Sequence, residues 1–259
     1  MTSLTVKNLT ASYKTGKKLK PVLNDLTFSL FPSEFVCLCG PNGCGKSSLL
    51  SLMAGLPSPN LQFSGQVLLG SESIFSLKSF DRARQISYMQ QSENSTWDFQ
   101  VFDYVLQGRF AHSNGGHYST DDYNLAKKIL YELDLSQFSD RNIHALSGGE
   151  FQKIRIARAL VQQPRFMLLD EPASNLDYVY EPHLMDFLKN LAHKNNIGIL
   201  VTVHDINLAY RHADKIMLLP AQKNPIFGKA DDVMTLDNLK TTFGVDFQCQ
   251  KIDSFQALR

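Results

Sequence analysis

No run of about 18 uninterrupted apolar residues occurs in the 259-residue sequence, so no segment reads as a membrane-spanning helix. Nor does a charged-then-apolar segment of signal-peptide form open it. The chain is therefore expected to be soluble and cytosolic, with any membrane role exercised through a partner. Charge of one sign is also lacking. Twenty-six Lys and Arg against 25 Asp and Glu leave a net charge of +1, which gives no ground for nucleic acid as a partner. Cysteine is scarce, at four residues. Cys37 and Cys39 fall on one face of an apolar run with no second ligand pair nearby. They read as small buried side chains in preference to a metal or redox pair. Cys44 reads as an alkylation-sensitive thiol without a catalytic task.

What is present suffices for an ordinary core, at 43% hydrophobic and 20% charged residues. The length suits one α/β domain with an appended subregion, or two small domains. The most informative stretch is Gly40-Pro41-Asn42-Gly43-Cys44-Gly45-Lys46-Ser47-Ser48, which reads G-x-x-x-x-G-K-S. An apolar run, Phe35 to Cys39, precedes it and reads as a buried strand. A helical run, Ser48 to Ala54, follows. Strand, glycine loop and helix form the context that a phosphate-binding loop needs. Glycines let the backbone N–H groups turn inward toward a polyphosphate, and the helix N-terminus adds positive partial charge. Lys46 is expected to reach the β- and γ-phosphates of a nucleoside triphosphate, and the Ser47 hydroxyl to bind Mg²⁺.

Around this loop the pattern alternates between strands and helices. Leu4–Leu9, extended through Ala11–Tyr13, and Leu26–Leu30 alternate as strands of an antiparallel β part, joined across a basic segment, Lys14–Lys20, that reads as a solvated hairpin turn. Tyr13 is the aromatic there with a ligand reading, stacking on a purine ring; the plainer reading is an edge-strand tyrosine. Gln66–Leu69 and Ile86–Met89 read as strands, 92–100 as a loop holding Trp97 and Phe99, and Val101–Gly108 as a short helix. Gly108–Thr120 reads as a loop, after which Asp121 and Asp122 cap a helix with Leu125, Ile129, Leu130 and Leu133 on its apolar positions. Ser147, with Glu150 at capping-box spacing, starts a helix to about Val161, a second helix-start anion site or an ordinary capped helix. Phe166–Leu169 is an apolar strand ending in Asp170 and Glu171. A carboxylate there, beside a phosphate loop, suits Mg²⁺, and the adjacent Glu171 can polarise an attacking water. A helix over about Tyr180–His193 leads to a strand, Ile197–Val203, with His204 at its end, where an imidazole can reach a γ-phosphate or the water. A last strand, Lys215–Leu219, and a helix near Thr235–Phe243 follow.

Taken in order, Tyr13, the loop 40–48, Gln91, Leu146-Ser147-Gly148-Gly149-Glu150, Phe166–Glu171, Ser174-Asn175-Leu176-Asp177 and His204 resemble an ABC transporter ATP-binding subunit over about residues 4 to 245. The resemblance implies an α/β fold: a P-loop NTPase core with a mixed central sheet, an N-terminal antiparallel β subdomain and an α-helical subdomain inserted at about 92–145, with 246–259 as a tail. It implies ATP and Mg²⁺ as ligands. Tyr13 would stack on adenine, Gln91 would sense Mg²⁺ and water, and Asp170 would hold Mg²⁺ with Ser47. Glu171 would be the catalytic base and His204 the switch histidine, acting with Lys46. Ser147, Gly148 and Gly149, with Glu150, would meet ATP held by a second copy in a head-to-tail homodimer, and Asp177 would lie where the chains cross.

A narrower resemblance lies in His204-Asp205-Ile206-Asn207-Leu208-Ala209, which is similar to the H-D-L-N-L-A run of importers for iron–siderophore, haem and vitamin B12 complexes. Gly108–His112, Gly228–Thr235 and Phe243-Gly244-Val245 resemble further segments of that group. Its sister group, which carries manganese or zinc, shares parts of the pattern. Glu150, Asn175 and Ala230 depart from the commoner glutamine, alanine and proline. The resemblance implies a peripheral protein at the cytoplasmic face of the inner membrane. Its partners would be integral membrane permease subunits and, indirectly, an extracytoplasmic binding protein. Val101–His112 would receive the permease's coupling helix, with Trp97 and Phe99 as docking candidates. A soluble ABC ATPase is the rival reading, disfavoured by the single-cassette length and near-zero net charge.

Overall fold

The computed structural model describes residues 2–16, 18–93, 97–174 and 180–249. In chain order the strands and helices are β1 (Leu4–Thr15), β2 (Lys18–Leu30), β3 (Phe35–Cys39), α1 (Lys46–Met53), β4 (Leu61–Leu69), β5 (Glu72–Ser73), α2 (Ser79–Gln85), β6 (Ile86–Met89), α3 (Val101–Leu106), α4 (Thr120–Glu132), α5 (Gly148–Val161), β7 (Phe166–Leu169), α6 (Tyr180–Asn195), β8 (Gly198–Thr202), α7 (Ile206–His212), β9 (Lys215–Leu218), β10 (Ile226–Lys229), α8 (Ala230–Val233) and α9 (Leu236–Phe243). Short 3₁₀ segments include Gln107–His112.

The first sheet is antiparallel, in the order β2-β1-β4-β5. In β1 the buried set is Leu4, Val6, Leu9 and Ala11, an alternation that skips one residue. The skip is a bulge at Asn8, whose φ of 47° is left-handed and whose neighbours mark a register shift against β2. Without it, Leu9 would face solvent. The hairpin is longer than the sequence suggested. Pairing continues through Lys14↔Leu19 and Thr15↔Lys18, so the basic segment 14–20 is mostly strand and only the tip turns. Backbone pairing needs no buried face, and exposed lysines suit such an extension.

The second sheet runs β10-β9-β3-β8-β7-β6, parallel except for the edge strand β10. Both faces are covered, so β3, β7 and β8 are buried at every residue and read as continuous apolar runs. Val36, Leu38, Leu168 and Leu200 pack with α1 and the first sheet. Cys37, Cys39, Met167, Leu169, Ile199 and Val201 pack with α5 and α6 on the other face. Cys37 and Cys39 are thus core residues. Burial pushes the Cys39 thiol up to about 12 and raises that of Cys37.

A separate helical core holds Val101, Tyr104, Val105, Ala126, Leu130 and Ile143. Helix α5 belongs to both cores: Ile154, Ala157 and Val161 face the helical one, while Ile156 and Leu160 face the sheet. Two local expectations need correction. Helix α4 is capped by Ser119, not by Asp121; Asp122 is its reciprocal partner, accepting from the Ser119 N–H at 2.9 Å. The expected loop after Gly108 begins as the 3₁₀ turn, because Arg109 is buried there on Asp122 (2.7 Å), with a second donor to the Val161 carbonyl (3.1 Å).

Candidate functional site

Because β3, β6, β7 and β8 are parallel, their C-terminal ends share one edge, and the residues that follow them meet there. A cleft of about 450 Å³ opens at this edge, lined by Tyr13, Lys20, Val22, Asn42, Gly43, Gly45, Lys46, Ser47, Ser48, Gln91, Glu171 and His204. The loop between β3 and α1 forms its floor. Gly45 has φ 110°, and a Cβ there would stand 2.8 Å from the Val22 carbonyl oxygen, so only glycine fits. No side chain caps α1, which leaves its first amides to a ligand. The Lys46 ammonium is buried and donates to the carbonyls of Gly40 (2.8 Å) and Pro41 (3.3 Å), so it curls over the loop. Ser47 faces outward, whereas Ser48 is buried and its hydroxyl meets that of Tyr13 at 3.0 Å. Tyr13 is thereby fixed at the cleft by the helix behind the loop.

The two acids differ sharply. Asp170 is 1% exposed and accepts from the Thr202 hydroxyl at 2.8 Å. Glu171 projects into the cleft with a left-handed φ of 49°. Its carboxylate is held from two sides, by the Gln91 amide (2.7 Å) and by His204 Nε2 (2.6 Å). Its backbone N–H donates to Thr202 Oγ1 at 2.6 Å.

Ser147–Glu150 is not part of the cleft lining. The Glu150 amide donates to the Ser147 hydroxyl (3.3 Å), and the Glu150 carboxylate accepts from the Ser147 N–H (2.7 Å). That N–H holds the carboxyl of Glu150 below its ordinary value. Asp177 lies outside the described residues. Cys44 is 2% exposed, and burial raises its thiol against the opposing charge of Lys46, so the expected alkylation sensitivity does not match its setting.

Several residues at the site were not singled out from the sequence. Lys20 lines the cleft because the hairpin register sets it opposite Tyr13, and that register is set by a pairing the basic run concealed. From α5, Gln152 donates to the Pro172 carbonyl at 2.7 Å. Arg155 reaches the carbonyls of Gln91 (3.4 Å) and Gln90. Arg158 makes two contacts of 2.7 Å with Glu93. No local pattern marks these arginines, since their contacts with Gln91 and Glu93 span more than 60 residues of sequence. Among the described residues no group of three or more His, Cys, Asp or Glu side chains is placed to hold a metal.

Residues 23–174 match the family described as ABC transporter. The chain belongs to the ABC transporter family. Among its curated relatives, the hemin import ATP-binding protein HmuV of Hahella chejuensis is 35% identical over 236 residues, covering 88% of each chain. Among solved structures, a metal-chelate type ABC transporter in an inward-facing conformation matches with a TM-score of 0.81 and 31% identity, over 99% of this chain and 96% of that one. The cassette MJ0796, solved as a dimer in a post-hydrolysis state bound to ADP and Pi, matches with a TM-score of 0.77 and 26% identity, over 88% of this chain and 98% of that one. The architecture is therefore that of an ABC ATPase cassette.

Proposed function

We propose that this chain hydrolyses ATP to energise an importer for an iron complex. The observation that carries the chemistry is the Glu171 carboxylate, held between Gln91 and His204 at the mouth of the phosphate-loop cleft. Tyr13 stacks on adenine, the loop amides and Lys46 bind the β- and γ-phosphates, and Glu171 takes the proton of the attacking water. His204 and Gln91 fix that carboxylate; His204 reaches the γ-phosphate or the water, and Gln91 senses Mg²⁺ and the water. Catalysis of this kind is mostly positioning and charge stabilisation.

Ser47, Gln91 and Asp170 offer a hydroxyl, an amide and a carboxylate, all oxygen donors suited to Mg²⁺, which commonly takes only one or two protein carboxylates and is completed by phosphates and water. Ser47, Gln91 and Asp170 would hold such an ion, which would supply charge neutralisation to the bound polyphosphate. Ser147, Gly148 and Gly149 act on ATP held by a second copy of the chain, in a head-to-tail dimer. That arrangement explains why a well-formed helix start stands outside the cleft of its own chain.

The iron-complex cargo rests on the relatives' names, hemin import and metal-chelate transport, together with the run His204–Ala209. The permease is proposed to dock at a second cleft, of about 460 Å³, between α2, the 107–112 turn and α5. Phe80 and Phe110 stand half-exposed at it with ring centroids 6.0 Å apart, and buried Ser87 on its lining has a hydroxyl without a hydrogen-bond partner among the described residues. Phe99 packs on the helical core instead; Trp97 is exposed. An external binding protein presents the cargo to the permease.

Replacing Glu171 by Gln is expected to leave ATP binding intact and to lower turnover at least about 100-fold. A strain lacking the chain should lose uptake of ferric siderophore or haem iron and regain it with the parental gene, not with E171Q. Parental turnover by E171Q would remove Glu171 as the base. Loss of manganese or zinc uptake instead would reassign the cargo.

A further inference from the structure

We propose that Thr202 is a positioning residue that holds the two acids in their separate tasks, an inference that rests on Glu171 being the base. Strand β8 is buried throughout, and Ile199, Leu200 and Val201 pack in the cores on its two faces. Thr202, two residues beyond Leu200, continues the face that packs toward α1 and the phosphate loop. It is 1% exposed, and a hydroxyl so deep must find partners or destabilise the fold. Its partners are both at the reaction centre. The proton goes to Asp170 Oδ1 (2.8 Å), and a lone pair accepts the Glu171 N–H (2.6 Å).

Each bond has a separate consequence. The first takes up one side of one Asp170 oxygen and so orients the carboxylate. The second ties down the peptide between Asp170 and Glu171, at the residue whose φ of 49° is uncommon for any side chain but glycine. The direction in which the Glu171 side chain leaves the backbone, toward Gln91 and His204, depends on that peptide plane. His204 lies two residues beyond Thr202, so one short segment supplies both the anchor of the Glu171 backbone and the clamp on its carboxylate. A valine would fill the same space with neither bond, and a serine would keep both.

The test compares Thr202→Val, Thr202→Ala and Thr202→Ser in the full chain by two readouts. Without nucleotide, hydrogen–deuterium exchange at the Glu171 amide should rise about tenfold in the valine and alanine variants and stay near parental in T202S, exchange elsewhere being unchanged. In ATP hydrolysis, T202V and T202A should lower kcat about 10- to 100-fold with KM for ATP within about twofold, and T202S should retain parental kcat. If T202V does not fold, the alanine and serine pair carries the comparison. Unchanged protection of the Glu171 amide, parental kcat without the hydroxyl, or a serine variant as impaired as the valine one would each overturn the proposal. E171Q measured alongside separates the premises. Parental turnover by E171Q removes the base, while the exchange result still decides whether Thr202 holds that peptide.

Discussion

Glu93, two residues past Gln91, is a carboxylate gripped by Arg158 through two contacts of 2.7 Å and by the Tyr104 hydroxyl at 3.0 Å. Burial pushes its carboxyl up, but the hydrogen bonds and charge of Arg158, helped by the Tyr104 hydroxyl and Arg155, more than offset this and hold it below its ordinary value. A depressed acid stabilises the fold above its unfolded value, and that contribution is lost as pH falls through the folded one. Glu93→Gln is therefore expected to cost about 1–3 kcal/mol at pH 7 in urea unfolding. The gap to the parent should begin to narrow as pH falls to the ordinary glutamate range and close only once pH is below the depressed folded value, where both forms are neutral. A gap that persisted at low pH would mean that shape, not charge, carries the contact. Lys46, Glu171 and His204 could be singled out from the sequence because each stands beside a short local pattern. Thr202 could not, since its significance lies in contacts with residues 31 and 32 positions away.

Helix α5 is the element that links the parts. Its start presents Ser147–Glu150, its middle holds the carbonyls of Gln90, Gln91 and Pro172, and Arg158 grips Glu93. A shift of this helix must therefore move both the glutamine segment and the segment after Glu171. The 107–112 turn packs on the same helix, and Gly108 marks the point of closest approach. A Cβ there would stand 2.3 Å from the Arg158 carbonyl oxygen, so the backbone itself must give way. Gly108→Ala is expected to lower stability by about 1–3 kcal/mol, read as a fall in Tm, while ATP binding by the isolated chain persists. Parental Tm would show that this contact is looser than the geometry implies. At this scale the parallel strands were legible, because burial on both faces leaves uninterrupted apolar runs such as Phe166–Leu169. The length of β2 was not, because its first four residues, 18–21, are all exposed and carry no buried alternation to signal a strand. Helices α2 and α7, of seven residues each, are too short to show a period.

For the molecule as a whole, the phosphate loop and the Ser147 helix start are two halves of one proposed site that a single chain does not bring together. The MJ0796 cassette, similar over 88% of this chain, was solved as a dimer, and the fold here has the same parts. Near-zero net charge leaves little long-range repulsion between two copies. The most direct test is the mass of the Glu171→Gln chain by analytical ultracentrifugation with and without saturating ATP and Mg²⁺, beside the parental ATPase rate across chain concentrations. The expected result is a monomer without nucleotide, twice that mass with it, and a parental rate per chain that rises with concentration. A chain that stayed monomeric at saturating ATP, with full activity independent of concentration, would contradict the shared site.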